Sequence, residues 1–126
     1  MIRRSFIICI IFIAGCAMRR GDEIVVDGRF VHTGTRVILW SDRNGFNAYE
    51  TGGWNQRPPG QRIDQFVIHY DAADSSANCF AVLKSRGLSV HFMIDVDGTI
   101  YQTLDVKERA WHATKANNRS VGVEVA

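Results

Sequence analysis

The stretch Phe66-Val67-Ile68-His69-Tyr70 is a run of β-branched and aromatic residues near the middle of the chain. Such a run predicts a buried β-strand. A helix is predicted next, with Ser75 or Ser76 as its N-terminal cap. Two alternating runs then flank Asp95-Val96-Asp97-Gly98 and predict a hairpin around an Asp-Gly turn. Residues 120–125 alternate again and predict a last strand.

The regions on either side of this block are less regular. Residues 24–26 and 36–40 predict two short strands, and residues 105–109 predict one helical turn. Residues 42–60 are rich in glycine, proline and asparagine, and they predict a loop or linker. The predicted class is therefore α/β, with a mixed central β-sheet flanked by helices. Because the chain stops inside its last predicted strand, we expect the C-terminal part of the domain to be missing.

Length and charge exclude several classes of protein. A chain of 126 residues with 46% hydrophobic and 22% charged residues is one domain at most, and it is neither disordered nor fibrous. Fifteen basic against thirteen acidic residues give a net charge of +2, so no basic excess points to nucleic acid. Three cysteines are too few for a disulfide framework.

The first residues predict an export signal. Arg3 and Arg4 precede an apolar run over residues 6–14, about half the roughly 20 residues that a spanning helix needs. The run ends in Ile13-Ala14-Gly15-Cys16, which resembles the lipobox of bacterial lipoproteins and makes Cys16 the predicted lipidation site. An ordinary signal peptide and a twin-arginine signal are the alternatives.

These signals divide the chain into three predicted parts. Residues 1–15 are the lipoprotein signal peptide, residues 16–60 an N-terminal extension and linker, and residues 61–126 the N-terminal portion of a folded domain. Ala17, rather than an aspartate, follows the cysteine. By resemblance to Gram-negative lipoproteins, this predicts an exported protein anchored to the outer membrane through lipid and facing the periplasm.

Four residues are candidates for a chemical role: His69, His91, His112 and Glu124. Two of them can be assessed from their position in the predicted strands alone. His69 ends a predicted buried strand, where an imidazole needs partners, so it is either a satisfied core histidine, a metal ligand or an acid–base group. The alternation along residues 120–125 places Glu124 and Gly122 on the face opposite the valines. A carboxylate among apolar neighbours has a raised pKa, which suits a general base. The alternative is a glutamate that faces solvent.

Four stretches in this order also resemble one enzyme family. They are Phe66-Val67-Ile68-His69-Tyr70, residues 90–102 from Val90-His91-Phe92 to the hairpin's end, Ala110-Trp111-His112-Ala113, and residues 118–125 ending in Val123-Glu124-Val125. Together they resemble the zinc-dependent N-acetylmuramoyl-L-alanine amidases, the type 2 amidase domain that peptidoglycan recognition proteins share. The resemblance covers about residues 61–126, which it implies are the N-terminal portion of an amidase domain. It implies hydrolysis of the amide between N-acetylmuramic acid and L-alanine of the stem peptide.

The resemblance also implies roles for the candidates. His69 is similar to the first zinc ligand, whereas the family's other two ligands lie further downstream and are absent from this chain. We therefore expect the 126-residue form to bind zinc weakly or not at all. A site made of His69, His91 and His112 is chemically possible, but the family's counterparts of His91 and His112 are not zinc ligands.

By the same resemblance, Glu124 is the catalytic base and His112 a substrate-side group that stabilises the transition state. Other branches of the family use a tyrosine before the His-Phe pair, where this chain has Val90. His91 is either a substrate-binding or a structural residue. The implied partners are peptidoglycan or muropeptides. The alternative functions are a non-catalytic peptidoglycan-binding module and an inactive truncated fragment.

Overall fold

The computed structural model describes residues 21–126. The strands, in chain order, are β1 (Glu23–Val26), β2 (Arg29–His32), β3 (Val37–Leu39), β4 (Trp54–Gln56), β5 (Gln65–Tyr70), β6 (Phe92–Ile94), β7 (Ile100–Gln102), β8 (Glu108–Ala110) and β9 (Ser120–Val125). The helices are α1 (Ala48–Thr51) and α2 (Ser76–Ser85), and a 3₁₀ turn covers Thr114–Ala116.

Five strands form the central sheet, in the order β3-β7-β6-β9-β5. Strands β5 and β6 both pair with β9 in parallel, whereas β6 and β7 form the antiparallel hairpin that the Asp-Gly turn predicted. Strand β3 pairs with β7 in parallel. The α/β class with a mixed central sheet, predicted from the sequence, is confirmed.

Helix α2 covers one face of this sheet. Its N-terminal cap is Ser75, whose side chain accepts a hydrogen bond from the backbone N–H of Asn78, as the sequence predicted. Cys79 and Leu83 of the helix pack on Met93 of β6, which is wholly buried. The helix is thus held by an apolar contact that also buries the centre of the sheet.

The β1–β2 hairpin covers part of the opposite face. Val25 packs there on Val37 and Leu39 of β3. The side-chain amide of Gln102, also wholly buried, accepts from the backbone N–H of Val25 and donates to its carbonyl, both at 2.7 Å. Because this amide satisfies two backbone groups of β1 at once, it fixes the hairpin against β7. The same face over β5 stays exposed at Phe66, Ile68 and Tyr70. The prediction of a strand here is confirmed, but the prediction that it is buried was wrong, because β5 is an edge strand of the described sheet.

Two further local predictions were wrong. Residues 105–109 do not form a helical turn, because residues 108–110 pair as β8 with β4 in an antiparallel ladder. The Asp105 carboxylate instead accepts from the backbone N–H groups of Asp27, Gly28 and Lys107. Side-chain bonds of this kind compete with helix formation. Residues 42–60 are not a plain loop either, since they contain α1 and β4.

The predicted signal peptide, residues 1–15, and the predicted lipidation site, Cys16, lie outside the described residues. The boundary drawn at residue 60 stays a prediction, although β3 and β4 both pair with strands that follow it. Among residues 21–126, neither helix has the length and apolar character needed to cross a membrane.

Candidate active site

His69 and Glu124 lie side by side on the sheet face that α2 covers. Strands β5 and β9 run parallel with His69 in register with Glu124, so both side chains point to the same face. On the other side of Glu124, β6 places Met93 in the next position of this row. The two polar side chains therefore stand at the border between the apolar core and the loops beyond the strands.

The Glu124 carboxyl is almost enclosed, with 9% of the residue exposed. Burial raises the pKa of Glu124, the neighbouring His69 opposes this rise, and the carboxylate of Asp71 adds to it. This is the direction that the sequence predicted from desolvation. A carboxylate in this setting takes up a proton more readily than one in water, which suits a general base.

His112 follows β8 and reaches back toward His69. Asn117 accepts hydrogen bonds from the backbone N–H groups of His112 and Ala113, at 3.1 and 2.7 Å, and so shapes the loop that carries the imidazole. Nδ1 of His112 lies 3.0 Å from Nε2 of His69, and the two rings meet edge to face. Nε2 of His112 lies 3.0 Å from the hydroxyl of Ser120. Three predicted residues, His69, His112 and Glu124, are thus brought to one place.

Gly122 makes room for the His112 ring. A Cβ atom built on Gly122 would lie 2.6 Å from Cγ and Nδ1 of His112, well inside van der Waals contact. The glycine is therefore required by close approach and not by an unusual backbone angle. Burial, and then the proximity of His91, His69 and the guanidinium of Arg57, lowers the pKa of His112 to about 4, because a charge on the ring would be poorly solvated and close to other cationic groups.

His91, by contrast, is turned into the protein. Its residue is 0% exposed, its Nδ1 accepts from the backbone N–H of Gly122, and its Nε2 donates to the carbonyl of Glu108 at 3.0 Å. Arg57 lies 3.3 Å from the same Nε2, but a guanidinium only donates, so this contact is not a hydrogen bond. Both ring nitrogens are engaged inside the protein, which favours the structural alternative over a substrate contact.

Arg57 was missed by the sequence analysis, which had placed it in a linker. Its guanidinium donates to the carbonyls of Asn117 and Asn118, at 2.8 and 2.7 Å, and to that of Ser120. One side chain thereby ties the loop after His112 to the start of β9. No local signal marks such a residue, because its hydrogen-bond partners lie 49 to 63 positions downstream.

Asp71 was also missed. It follows β5 directly, and its Oδ1 accepts from the backbone N–H of Ala73. Its Oδ2 is buried and has no hydrogen-bond partner among the described residues. The charge of Asp71 is one reason that Glu124 is harder to ionise.

A catalytic zinc ion normally has three protein ligands and an open position for water. Within residues 21–126, no group of three histidine, cysteine or acidic side chains is arranged to hold a metal ion. His69 and His112 approach each other, but both nitrogens of His91 point elsewhere. The described residues therefore do not fit a zinc centre, and the three-histidine alternative is not formed.

Comparison with known proteins identifies one family. The family model described as N-acetylmuramoyl-L-alanine amidase matches residues 59–126, more than half of the chain. No curated protein matches the chain significantly. Among solved structures, the crystal structure of a selenomethionine derivative of AmpD has 19% identity and a TM-score of 0.46. The alignment covers 72% of this chain but only 65% of that one, so the chain spans less than two thirds of AmpD's length.

The contact between Gly122 and His112 predicts the effect of a single added methyl group. Gly122→Ala should push the imidazole off the strand and lower the free energy of unfolding by about 1–3 kcal/mol, as overpacking does. Gly60→Ala is the control, since its Cβ would have open space and only its φ of +75° is strained. Histidine NMR signals should move for His112 in the first variant and stay in the second. An unmoved His112 signal in Gly122→Ala would contradict the geometry.

His91 predicts a pH effect on stability. Burial lowers its native pKa to about 4 from 6.5, so the unfolded chain takes up a proton as pH falls below about 6.5 and the native state does not. Between pH 7 and pH 5, this residue should therefore lower the free energy of unfolding by about 2 kcal/mol. Urea unfolding of the wild type and of His91→Gln measures the difference. Equal pH dependence in both proteins would show that His91 is not the group responsible.

Proposed function

Because the chain belongs to the N-acetylmuramoyl-L-alanine amidase family, we propose that it acts on the amide bond between the lactyl group of N-acetylmuramic acid and L-alanine of the stem peptide. The observation that carries this proposal is the row of His69 and Glu124, with His112 against it, on one sheet face. A buried carboxylate beside two imidazoles is a suitable set for hydrolysis of an unactivated amide.

Glu124 is the proposed general base. Its raised pKa lets it take a proton from the attacking water and return that proton to the leaving amine of L-alanine. Its place on a strand, between Met93 and His69, keeps the carboxylate in a fixed position. A group held in this way loses little entropy when the reaction begins.

His112 is proposed to stabilise the oxyanion that forms on the attacked carbonyl. Both of its nitrogens have partners in this structure, His69 on Nδ1 and Ser120 on Nε2. To donate to a carbonyl oxygen, the Nδ1 edge has to leave His69 and carry a proton. His69 is proposed as the residue through which the family's zinc would be held, although the described residues alone do not form a site for that ion.

The lack of a three-donor metal site among residues 21–126 favours a second candidate function. A chain whose described residues form no three-donor metal site can still grip peptidoglycan, so a binding module that does not cleave is the alternative. The two functions differ in turnover and not in affinity. Hydrolysis and binding therefore have to be measured on the same protein.

We also propose that the protein is an exported lipoprotein, anchored through Cys16 and facing the periplasm from the outer membrane. The support is the sequence Ile13-Ala14-Gly15-Cys16 after an apolar run. Peptidoglycan lies in that compartment, so the proposed location and the proposed substrate agree with each other.

Glu124→Gln keeps the size of the side chain but removes the base. In the full-length gene product supplied with zinc, release of stem peptide with a free L-alanine amine should fall by roughly 10²–10⁴-fold, while binding to purified peptidoglycan survives. Glu108→Gln is the matched control, because Glu108 is also a buried glutamate with a raised pKa but lies in β8. Full activity in Glu124→Gln would remove Glu124 from the mechanism. Binding without cleavage by the wild type would favour the recognition module.

Zinc titration tests the ligand assignment. The 126-residue chain should not take up one tightly bound zinc ion, because no three suitable donors converge on one point among the described residues. The weak uptake that remains should decrease further in His69→Ala and not in His32→Ala, where the histidine is exposed on β2. Isothermal calorimetry measures both. Tight binding of one ion per chain would overturn the assignment.

The lipid anchor predicts a change of compartment. Cys16→Ser should move the protein from the membrane fraction to the soluble periplasmic fraction, whereas Cys9→Ser, within the predicted signal, should not. Cell fractionation and mass spectrometry of the mature N-terminus provide the measurement. An unmodified Cys16 in the wild type would contradict the proposed anchor.

A further inference from the structure

A row of hydrogen bonds leads from a backbone carbonyl to the centre of the candidate site. The hydroxyl of Ser120 lies 2.8 Å from the carbonyl oxygen of Ala116 and 3.0 Å from Nε2 of His112. Nδ1 of His112 then lies 3.0 Å from Nε2 of His69. Ser120 is 0% exposed, so bulk water does not replace either of its partners.

The direction of each bond follows from the number of protons available. A hydroxyl has one proton, and the Ala116 carbonyl can only accept, so the Ser120 proton is directed to Ala116. Toward His112 the Ser120 oxygen is therefore an acceptor, and Nε2 of His112 has to carry the hydrogen. In a neutral imidazole this leaves Nδ1 of His112 without a proton.

We propose that Ser120 is a positioning residue that fixes the proton of His112 on Nε2, so that only the Nδ1 edge of this ring faces the site. His69 must then donate from its own Nε2 to that edge, which leaves its Nδ1 with a free lone pair. Any contact of His112 with a substrate has to use Nδ1, which accepts a hydrogen bond in the neutral ring and donates to an oxyanion only after the ring has taken up a second proton. The consequence for catalysis rests on the proposed amidase function, whereas the proton position itself does not.

Several contacts hold Ser120 in place for this role. Its backbone carbonyl accepts from the Arg57 guanidinium, and its residue begins β9, whose pairing with β5 places Gln65 beside it. Two residues further along β9, Gly122 leaves room for the ring that Ser120 anchors. The His112 ring is thus fixed by a strand backbone along one side and by a hydroxyl at one nitrogen.

Ser76 shows that burial of a serine does not by itself supply such a bond. It is as deeply buried as Ser120, yet its hydroxyl has no hydrogen-bond partner among the described residues. Ser76→Ala is therefore a matched control for Ser120→Ala. Both variants delete one buried oxygen, and only Ser120→Ala deletes the acceptor of His112.

The test is ¹⁵N NMR of the 126-residue chain labelled in histidine, since a protonated ring nitrogen and a bare one resonate far apart. We expect the proton of His112 on Nε2 in the wild type. In Ser120→Ala the His112 proton should no longer be confined to Nε2. In Ser120→Thr, which keeps a hydroxyl, it should remain on Nε2. Ser76→Ala should leave it unchanged. If Ser120 only filled space, Ser120→Ala would leave the proton position of His112 unchanged.

His91 is the internal reference. Its Nδ1 accepts from Gly122 and its Nε2 donates to Glu108, so its signal should stay the same in every folded variant. A wild-type His112 with its proton on Nδ1 would overturn the inference, as would an unchanged His112 signal in folded Ser120→Ala. Loss of the native His91 signal would show that Ser120→Ala is unfolded. In that case the wild type and Ser120→Thr test the inference, which holds only if His112 has its proton on Nε2 in both proteins.

Hydrolysis by the full-length gene product supplied with zinc, measured beside the NMR spectra, separates this inference from the proposed function. A wild type with the Nε2 proton that fails to hydrolyse peptidoglycan contradicts the amidase and leaves the positioning role intact. Hydrolysis by a wild type whose His112 has its proton on Nδ1 supports the amidase and overturns the positioning role of Ser120.

Discussion

The parallel pairing of β5 with β9 is the constraint on which the rest of the site depends. Its register sets His69 beside Glu124 and points both side chains to the face that α2 covers. A shift of one residue would turn Glu124 to the exposed face and bring the apolar side chain of Val123 or Val125 against the helix. The β9 strand also carries Ser120 and Gly122, which anchor and accommodate the His112 ring. One strand thus determines where three of the candidate groups lie.

Many of the polar groups around this strand are buried or partly buried, and most of them have partners inside the protein. Arg57 donates to carbonyls on both sides of the turn before β9, and Asn117 accepts from the loop of His112. His91 satisfies Gly122 and Glu108 from inside the core. Because buried polar groups without partners cost about 1–3 kcal/mol each, these bonds specify one arrangement of the loop against the strand. The cost of enclosing Glu124 appears instead as its raised pKa.

Local patterns in the sequence predicted the elements that are built from local interactions. The β-branched run gave β5, the serine cap gave α2, and the Asp-Gly turn gave the β6–β7 hairpin. Pairing over long distances could not be predicted in this way, so β8 was mistaken for a helical turn and its partner β4 for part of a loop. The site shows the same division. Motifs marked His69, His112 and Glu124, whereas Arg57 and Asp71 act through partners that only the folded chain brings near.

The central claim is that water, activated beside Glu124, attacks the carbonyl between muramic acid and L-alanine. Hydrolysis of a purified muropeptide by the full-length gene product in H₂¹⁸O, followed by mass spectrometry, tests it most directly. The account predicts one ¹⁸O atom in the lactyl carboxylate of N-acetylmuramic acid and none in a stem peptide with a free L-alanine amine. An ¹⁸O atom on a sugar carbon or within the stem peptide would contradict the account, and so would the absence of any cleavage.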